Sequence, residues 1–304
     1  MKDSTLQFNN SNQGKYAIVT GANDGLGYET SRYFASQGIN VVMACRNLNK
    51  ANIAKENILK EFPTSSLSIL QIDLKDLNSV REFVNNYKAS FGQLDILVNN
   101  AGIMIPPFEL TKDGFESQIG VNYLSHFLLT SLLMDLLNNS DAGRVISLSS
   151  IAHKAGKINL DNINSKGNYN KVAAYSQSKL ACLMFCFELN RKLKQQGSSV
   201  KSIAAHPGVS ATNLFQHLPK WFHFISPILA PLFSHSPRNA VMPVIKAALD
   251  ENLKGGDYIG PTGFNEMKGK PGFAKSTAYS NNSDIAQQLW VLSETMTEIT
   301  FLEN

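Results

Sequence analysis

The sequence predicts one α/β domain, a doubly wound parallel sheet of about seven strands with helices on both faces. Three observations carry that expectation. Short apolar runs of strand length alternate with longer helical patterns through six successive units. The runs are continuously apolar, as in parallel strands buried on both faces. No fixed-period repeat and no linker divides the 304 residues, a length that suits one large α/β domain.

In chain order, residues 1–14 are polar and Asn-rich. They read as a disordered tail with no apolar signal-peptide core, which leaves residues 15–304 as the single domain. Tyr16–Thr20 is the first strand, and a glycine-rich loop leads into a helix to about Gln37, closed by Gly38. Ile39–Ala44 is the second strand, and Leu48–Glu61 is a polar helix that stops before Pro63. Leu67–Ile72 is a strand, 76–91 a helix and Leu94–Val98 a strand. Gly114–Asn138 reads as one long helix and Arg144–Leu148 as the fifth strand. A polar insertion, Asn159–Asn170, precedes a helix over Ala173–Lys194, and Val200–Ala205 is the sixth strand. The regularity then lapses. Residues about 210–240 form a candidate lid rich in Phe, Trp, Pro and His. Asn239–Leu249 is a helix, Tyr258-Ile259 a short last strand, and Asp284–Val291 a helix in a C-terminal extension over about 260–304.

Composition narrows the function classes. Hydrophobic residues make up 43% of the chain and charged residues 17%, enough apolar material for a full core. The net charge of +4 comes from scattered basic residues, so no nucleic-acid footprint is expected. Cys45, Cys182 and Cys186 have no partners at metal-ligand spacing and read as buried reduced thiols, which favours a cytoplasmic protein. The six histidines include no H-E-x-x-H pair, and no metal site is expected. Trp221–Phe233 is too short to cross a bilayer and is broken by Pro227 and Pro231.

Two features carry chemistry. Gly21, Gly25 and Gly27 lie between a buried strand and a helix. There, glycines permit a tight turn and the helix N-terminus offers N–H groups to a pyrophosphate, so the loop reads as a dinucleotide cradle. Where an acid would bind a ribose hydroxyl after the second strand, this chain has Cys45, Arg46 and Asn47. A guanidinium suits a 2′-phosphate, which favours NADP(H) over NAD. Tyr175 and Lys179 are four residues apart and share a helical face. A phenol of pKa about 10 is a poor acid or base near neutrality. A nearby ammonium lowers that value by roughly 1–3 units, making a tunable proton donor.

Seven separated motifs then agree in order: Thr20 to Gly27, Asp73-Leu74, Asn99-Asn100-Ala101-Gly102, Val121-Asn122, Ser149-Ser150, Tyr175-x-x-x-Lys179 and His206-Pro207-Gly208. Over about residues 15–260 the chain resembles a short-chain dehydrogenase/reductase with a Rossmann fold. Val41 to Asn47, Leu110 to Gly114, His126 to Thr130 and Ser150 to Lys154 resemble the retinol-dehydrogenase-like branch, which includes the reductase domain of WW-domain oxidoreductases. The resemblance implies a catalytic set of Asn122, Ser150, Tyr175 and Lys179. Tyr175 would be the general acid or base. Lys179 would depress its pKa and hold the nicotinamide ribose. Ser150 would bond the substrate oxygen, with Ser149 the weaker candidate, and Asn122 would hold a water leading to Lys179. It also implies cofactor contacts from Gly21, Asn23, Asp24, Gly25, Leu26, Gly27, Arg46, Asn47, Asp73, Leu74, Asn99, Ala101, Gly102, Tyr175, Lys179, Pro207, Gly208, Val209 and Thr212. Tyr123 and Ser125 depart from the branch, which often has His and Gly there.

The resulting expectation is an NADP(H)-dependent oxidoreductase interconverting an alcohol and a carbonyl on a lipophilic retinoid-, steroid- or fatty-aldehyde-like substrate. Leu214, Phe215, Leu218, Trp221, Phe222, Phe224 and Ile225 make the lid apolar. The same stretch also reads as an oligomer contact or a peripheral membrane patch. A homodimer and a monomer are both compatible with the sequence. The alternative is a non-catalytic NADP(H)-sensing binding protein on the same fold. A sugar-nucleotide epimerase or dehydratase fits less well, since such enzymes usually have G-x-x-G-x-x-G spacing and a larger C-terminal domain.

Overall fold

The computed structural model describes residues 12–208 and 237–302. One sheet runs through it in the order β3-β2-β1-β4-β5-β6-β7-β8. Seven strands are parallel: β1 (Tyr16–Thr20), β2 (Asn40–Cys45), β3 (Leu67–Gln71), β4 (Ile96–Asn99), β5 (Arg144–Leu148), β6 (Lys201–Ala205) and β7 (Tyr258–Pro261). The eighth, β8 (Pro271–Phe273), pairs antiparallel with β7 and was not foreseen. Three residues that include Pro and Gly show no alternation, and such a strand is tolerated only at an edge.

Successive strand residues face opposite sides, and both sides are covered. Ile18, Val42 and Leu97 enter one core, with Phe83, Phe127 and Leu180 from α3 (Leu77–Ser90), α4 (Ser117–Asn138) and α5 (Lys171–Gln195). Val19, Met43 and Val98 enter the other, with Phe34, Ala51 and Val244 from α1 (Gly25–Ser36), α2 (Leu48–Glu61) and α7 (Met242–Leu249). A single turn, α6 (Pro237–Ala240), precedes α7. Helix starts follow the capping preference for Asp and Asn. Asp24, Asn47, Asp76 and Asn170 accept backbone N–H bonds at the starts of α1, α2, α3 and α5.

Two predicted elements differ. The run expected as a helix from Gly114 starts at Ser117, where the Glu116 side chain caps it, and contains a π-helical turn over Gly120–Leu124. This helix is long and apolar enough to span a membrane, yet 78% of its apolar window is buried within the fold. The last helix, α8, runs Ser283–Thr297, well beyond the expected end at Val291. Trp290 on α8 stacks with Phe185 and Phe301 and meets the edge of Phe127, which ties the C-terminal extension into the first core. Tyr123 and Ser125, the two departures from the branch, are buried within this arrangement. The Tyr123 hydroxyl shares a 2.7 Å hydrogen bond with Ser293, and the Ser125 hydroxyl donates to the carbonyl of Leu74. Of the tail expected over 1–14, only residues 12–14 are described. These are folded, with Asn12 buried and its carbonyl accepting from Lys15 N–H.

Candidate active site

After β1 the chain builds to one side and then returns to place β4 on the other, so a crevice opens where the strand order reverses. The glycine loop fills this position. Gly21 and Gly25 have φ values of 66° and 54°, which a glycine adopts without strain. Gly27 lets α1 approach the loop, since a Cβ there would lie 2.3 Å from the Gly21 carbonyl oxygen and 2.6 Å from Asn100 Nδ2. Gly21, Asn23, Asp24, Gly25 and Leu26 keep surface open at the N-terminus of α1, the setting in which N–H groups receive a phosphate. Residues present thus fit a dinucleotide cradle.

The loop is locked to β4 through Thr20, Asn100 and His126, which lie outside the predicted site. Thr20 Oγ1 accepts from the N–H groups of Asn100 and Ala101, each at 2.9 Å, and Asn100 Nδ2 donates to the Thr20 carbonyl at 2.7 Å. His126 on α4 joins them. Its Nδ1 faces the Asn122 carbonyl at 3.1 Å, an acceptor, so Nδ1 carries the proton and Nε2 accepts from the Thr20 hydroxyl at 2.9 Å. Burial pushes the His126 pKa down to about 4, with the Lys179 charge acting in the same direction.

Two of the four proposed catalytic side chains, Asn122 and Lys179, meet at Gly102. A Cβ at Gly102 would sit 3.1 Å from Asn122 Oδ1 and 3.4 Å from Lys179 Nζ. Asn122, in the π-helical turn, accepts from Ile103 N–H at 2.8 Å and donates to the Ile103 carbonyl at 3.0 Å and to Ser178 Oγ at 2.9 Å. Its main-chain carbonyl also accepts from the Cys182 thiol at 3.2 Å. Lys179 is buried and donates to the Leu148 carbonyl at 3.0 Å, at the end of β5. Tyr175 is buried one helical turn before it. Ser149 Oγ donates to the Lys179 carbonyl, whereas Ser150 Oγ accepts only a 3.2 Å backbone contact from Ala152 N–H and remains half-buried. Ser149 is therefore committed to holding α5, and Ser150 is the serine with a hydroxyl proton to offer.

Other predicted contacts vary in how they face the crevice. Arg46 and Asn47 are exposed at the end of β2, and Asn47 also caps α2. Asp73 is half-buried and accepts from Lys75 N–H in a tight turn, while Leu74 is buried in the core. Asn99 is buried and turns its side chain inward, donating to Thr130 Oγ1 at 2.9 Å. Ala101 packs on Gly21. Gly208 has φ 74° and leaves no room for a Cβ, which would lie 2.3 Å from the Met267 carbonyl oxygen. Its N–H donates to Nδ1 of His206, a ring that burial holds at a pKa of about 4. Pro207 is half-buried beside it. Val209, Thr212 and the candidate lid residues 214–236 lie outside the described residues. The thiols of Cys45 and Cys186 are pushed up by burial to about 11 and about 12, which makes them poor nucleophiles. Among the described residues no group of three or more metal-ligating side chains occurs.

The sheet order and the glycine cradle at its crevice define a protein of the Rossmann class. The chain belongs to the short chain dehydrogenase family, whose sequence model matches residues 15–222. It is similar to human retinol dehydrogenase 13, with 41% identity over 287 residues, 92% of this chain and 83% of that protein. Human polyprenol dehydrogenase is 36% identical over 291 residues, 94% of this chain and 86% of that protein. Among solved structures, an uncharacterized protein from Mycobacterium Paratuberculosis superposes with a TM-score of 0.79 at 35% identity, covering 95% of each chain.

Proposed function

We propose that this protein is an NADP(H)-dependent oxidoreductase that interconverts a lipophilic alcohol and its carbonyl. The observation that carries the reading is the meeting of Asn122 and Lys179 at Gly102, with Tyr175 one turn away on the same helix. The nicotinamide, when bound, supplies or accepts the hydride. In reduction, the Tyr175 phenol gives its proton to the carbonyl oxygen as charge develops there. The Ser150 hydroxyl donates a hydrogen bond to the same oxygen. The phenolate left on Tyr175 is stabilised by the Lys179 ammonium, and a solvent proton restores the phenol. Oxidation reverses these transfers. Asn122 holds the backbone of Ile103 and so keeps the wall behind Lys179 in place.

Exposed Arg46 in place of an acid supports NADP(H) over NAD(H). Similarity to proteins named for retinol and polyprenol, both lipophilic alcohols, supports the substrate class. The test is NADPH oxidation with a panel of aliphatic and retinoid aldehydes, alongside Tyr175→Phe. The expected result is turnover by the wild type and a loss of about 10²–10⁴-fold in kcat for the variant, with NADPH affinity retained. Tight NADPH binding without turnover of any carbonyl would favour a cofactor-sensing role instead.

A further inference from the structure

Ile105 stands with φ 56°, a left-handed backbone that a β-branched residue adopts only when its surroundings force it. The force is visible. Ile105 N–H donates to Gln118 Oε1 at 2.8 Å. Gln118 is fully buried, and its Nε2 donates to Tyr169 Oη at 2.9 Å and to the Lys171 carbonyl at 3.0 Å. The Tyr169 hydroxyl in turn donates to Glu116 Oε1 at 3.0 Å. Glu116 is itself fully buried, with its carboxylate also receiving the N–H groups of Gln118 and Ile119. Tyr169 belongs to the polar insertion, and its ring meets Phe108 edge-on at 5.1 Å.

This network fixes both ends of an apolar strip. At one end Asn122 holds the Ile103 backbone through both its N–H and its carbonyl, beside Gly102, where a Cβ would lie 3.4 Å from Lys179 Nζ. At the other, Gln118 ties Ile105 to Lys171, one helical turn before Tyr175. From Lys171 to Lys179 is eight residues of helix, about 12 Å. From Gly102 to Ile105 is three residues, a reach of about 10 Å when extended. The strip Ile103-Met104-Ile105 therefore runs alongside the helical face that presents Tyr175. It is half-buried, and exposed Phe108 and Leu110 follow it.

We propose that Ile103–Ile105 is a wall of the substrate cleft that selects for extended apolar alcohols. Ile105 is its specificity-determining residue, and Gln118 is the positioning residue that holds it. The inference rests on the proposed alcohol chemistry for its substrate class, but it is tested by binding as well as turnover. Calorimetry on the full chain loaded with NADPH, which cannot take a hydride from an alcohol, would compare decanol with butanol. Ile105→Gly removes the wall and relieves the left-handed strain, so the variant folds. Gln118→Met removes the latch.

In both variants the ratio of decanol to butanol affinity should fall about tenfold, the scale set by losing a few methylene contacts in an apolar pocket. Ile105→Val should keep the ratio within about threefold. An unchanged ratio in Ile105→Gly, an equal loss of NADPH and decanol affinity, or a wild type that does not prefer decanol would each overturn the proposal. A wild type that prefers decanol through Ile105 yet oxidises no alcohol would sustain the wall and refute the catalytic reading.

Discussion

The hydroxyl of Thr20 lies 2.9 Å from Nε2 of His126 and bonds the strand that carries the glycine loop to the helix that carries Asn122. The bond requires an unprotonated Nε2, because Thr20 Oγ1 already accepts from the N–H groups of Asn100 and Ala101 and has only its proton left to give. Cradle and catalytic helix are thus held together by a neutral imidazole.

Stability should fall as the solution is acidified toward pH 4. His126 and His206 are both held at about 4 by burial, against an ordinary value of 6.5. Between these pH values the unfolded chain binds more protons than the folded one, so stability is full above pH 6.5 and is lost as pH falls toward 4. Each imidazole accounts for about 3 kcal/mol over that window. Urea unfolding from pH 7 to pH 4.5 should show a falling midpoint, with a shallower fall in His126→Gln. A midpoint that stays level down to pH 5 would contradict the neutral, buried assignment.

Gly27→Ala should damage cofactor binding and fold stability together. The added methyl meets the Gly21 carbonyl oxygen and the Asn100 amide, and backbone must move to admit it. A stability loss of about 1–3 kcal/mol is expected, with NADPH affinity, read by fluorescence titration, weakened by at least about tenfold as the cradle shifts. Wild-type affinity in the variant would show that the loop does not hold the phosphates.

Cofactor preference should move with Arg46. This side chain is exposed at the end of β2, where no carboxylate stands. Arg46→Asp replaces a phosphate fork with a repelling charge, and kcat/KM for NADPH should drop by about tenfold or more while that for NADH holds or rises. Equal losses for both cofactors would remove Arg46 from the 2′-phosphate site.

Truncating Trp290 should cost more than any surface change. The ring is 2% exposed and touches Phe127, Phe185 and Phe301, with the Lys192 ammonium 5.2 Å from its centre. Trp290→Ala is expected to lower unfolding free energy by about 3–5 kcal/mol in chemical denaturation. A loss under about 1 kcal/mol would mean that α8 is not part of the core.

Most of the frame was legible because parallel strands buried on both faces are continuously apolar. β1, α2 and β5 begin and end where the sequence placed them. The site was legible as far as its chemistry lies in local spacing, as with Tyr175 and Lys179. Tertiary contacts were not. Nothing near Asn99 announces that its amide turns to Thr130, 31 residues away. Thr20 and His126 read singly as a strand end and a helix residue, and their pairing needs the fold. Gln118 and Tyr169, 51 residues apart, were invisible for the same reason. The π-helical turn at Asn122 leaves no compositional trace, since its residues suit an ordinary helix.

The position of α8 also sets an order of events at the ribosome. The helix that carries Tyr175 and Lys179 is synthesised some hundred residues before Trp290, yet part of its apolar face packs on that ring. Until α8 emerges, Phe127 and Phe185 present an open aromatic surface to chaperones and to other nascent chains. The first core is therefore complete only once α8 has been made, and a chain truncated before α8 leaves Phe127 and Phe185 without the ring that packs on them.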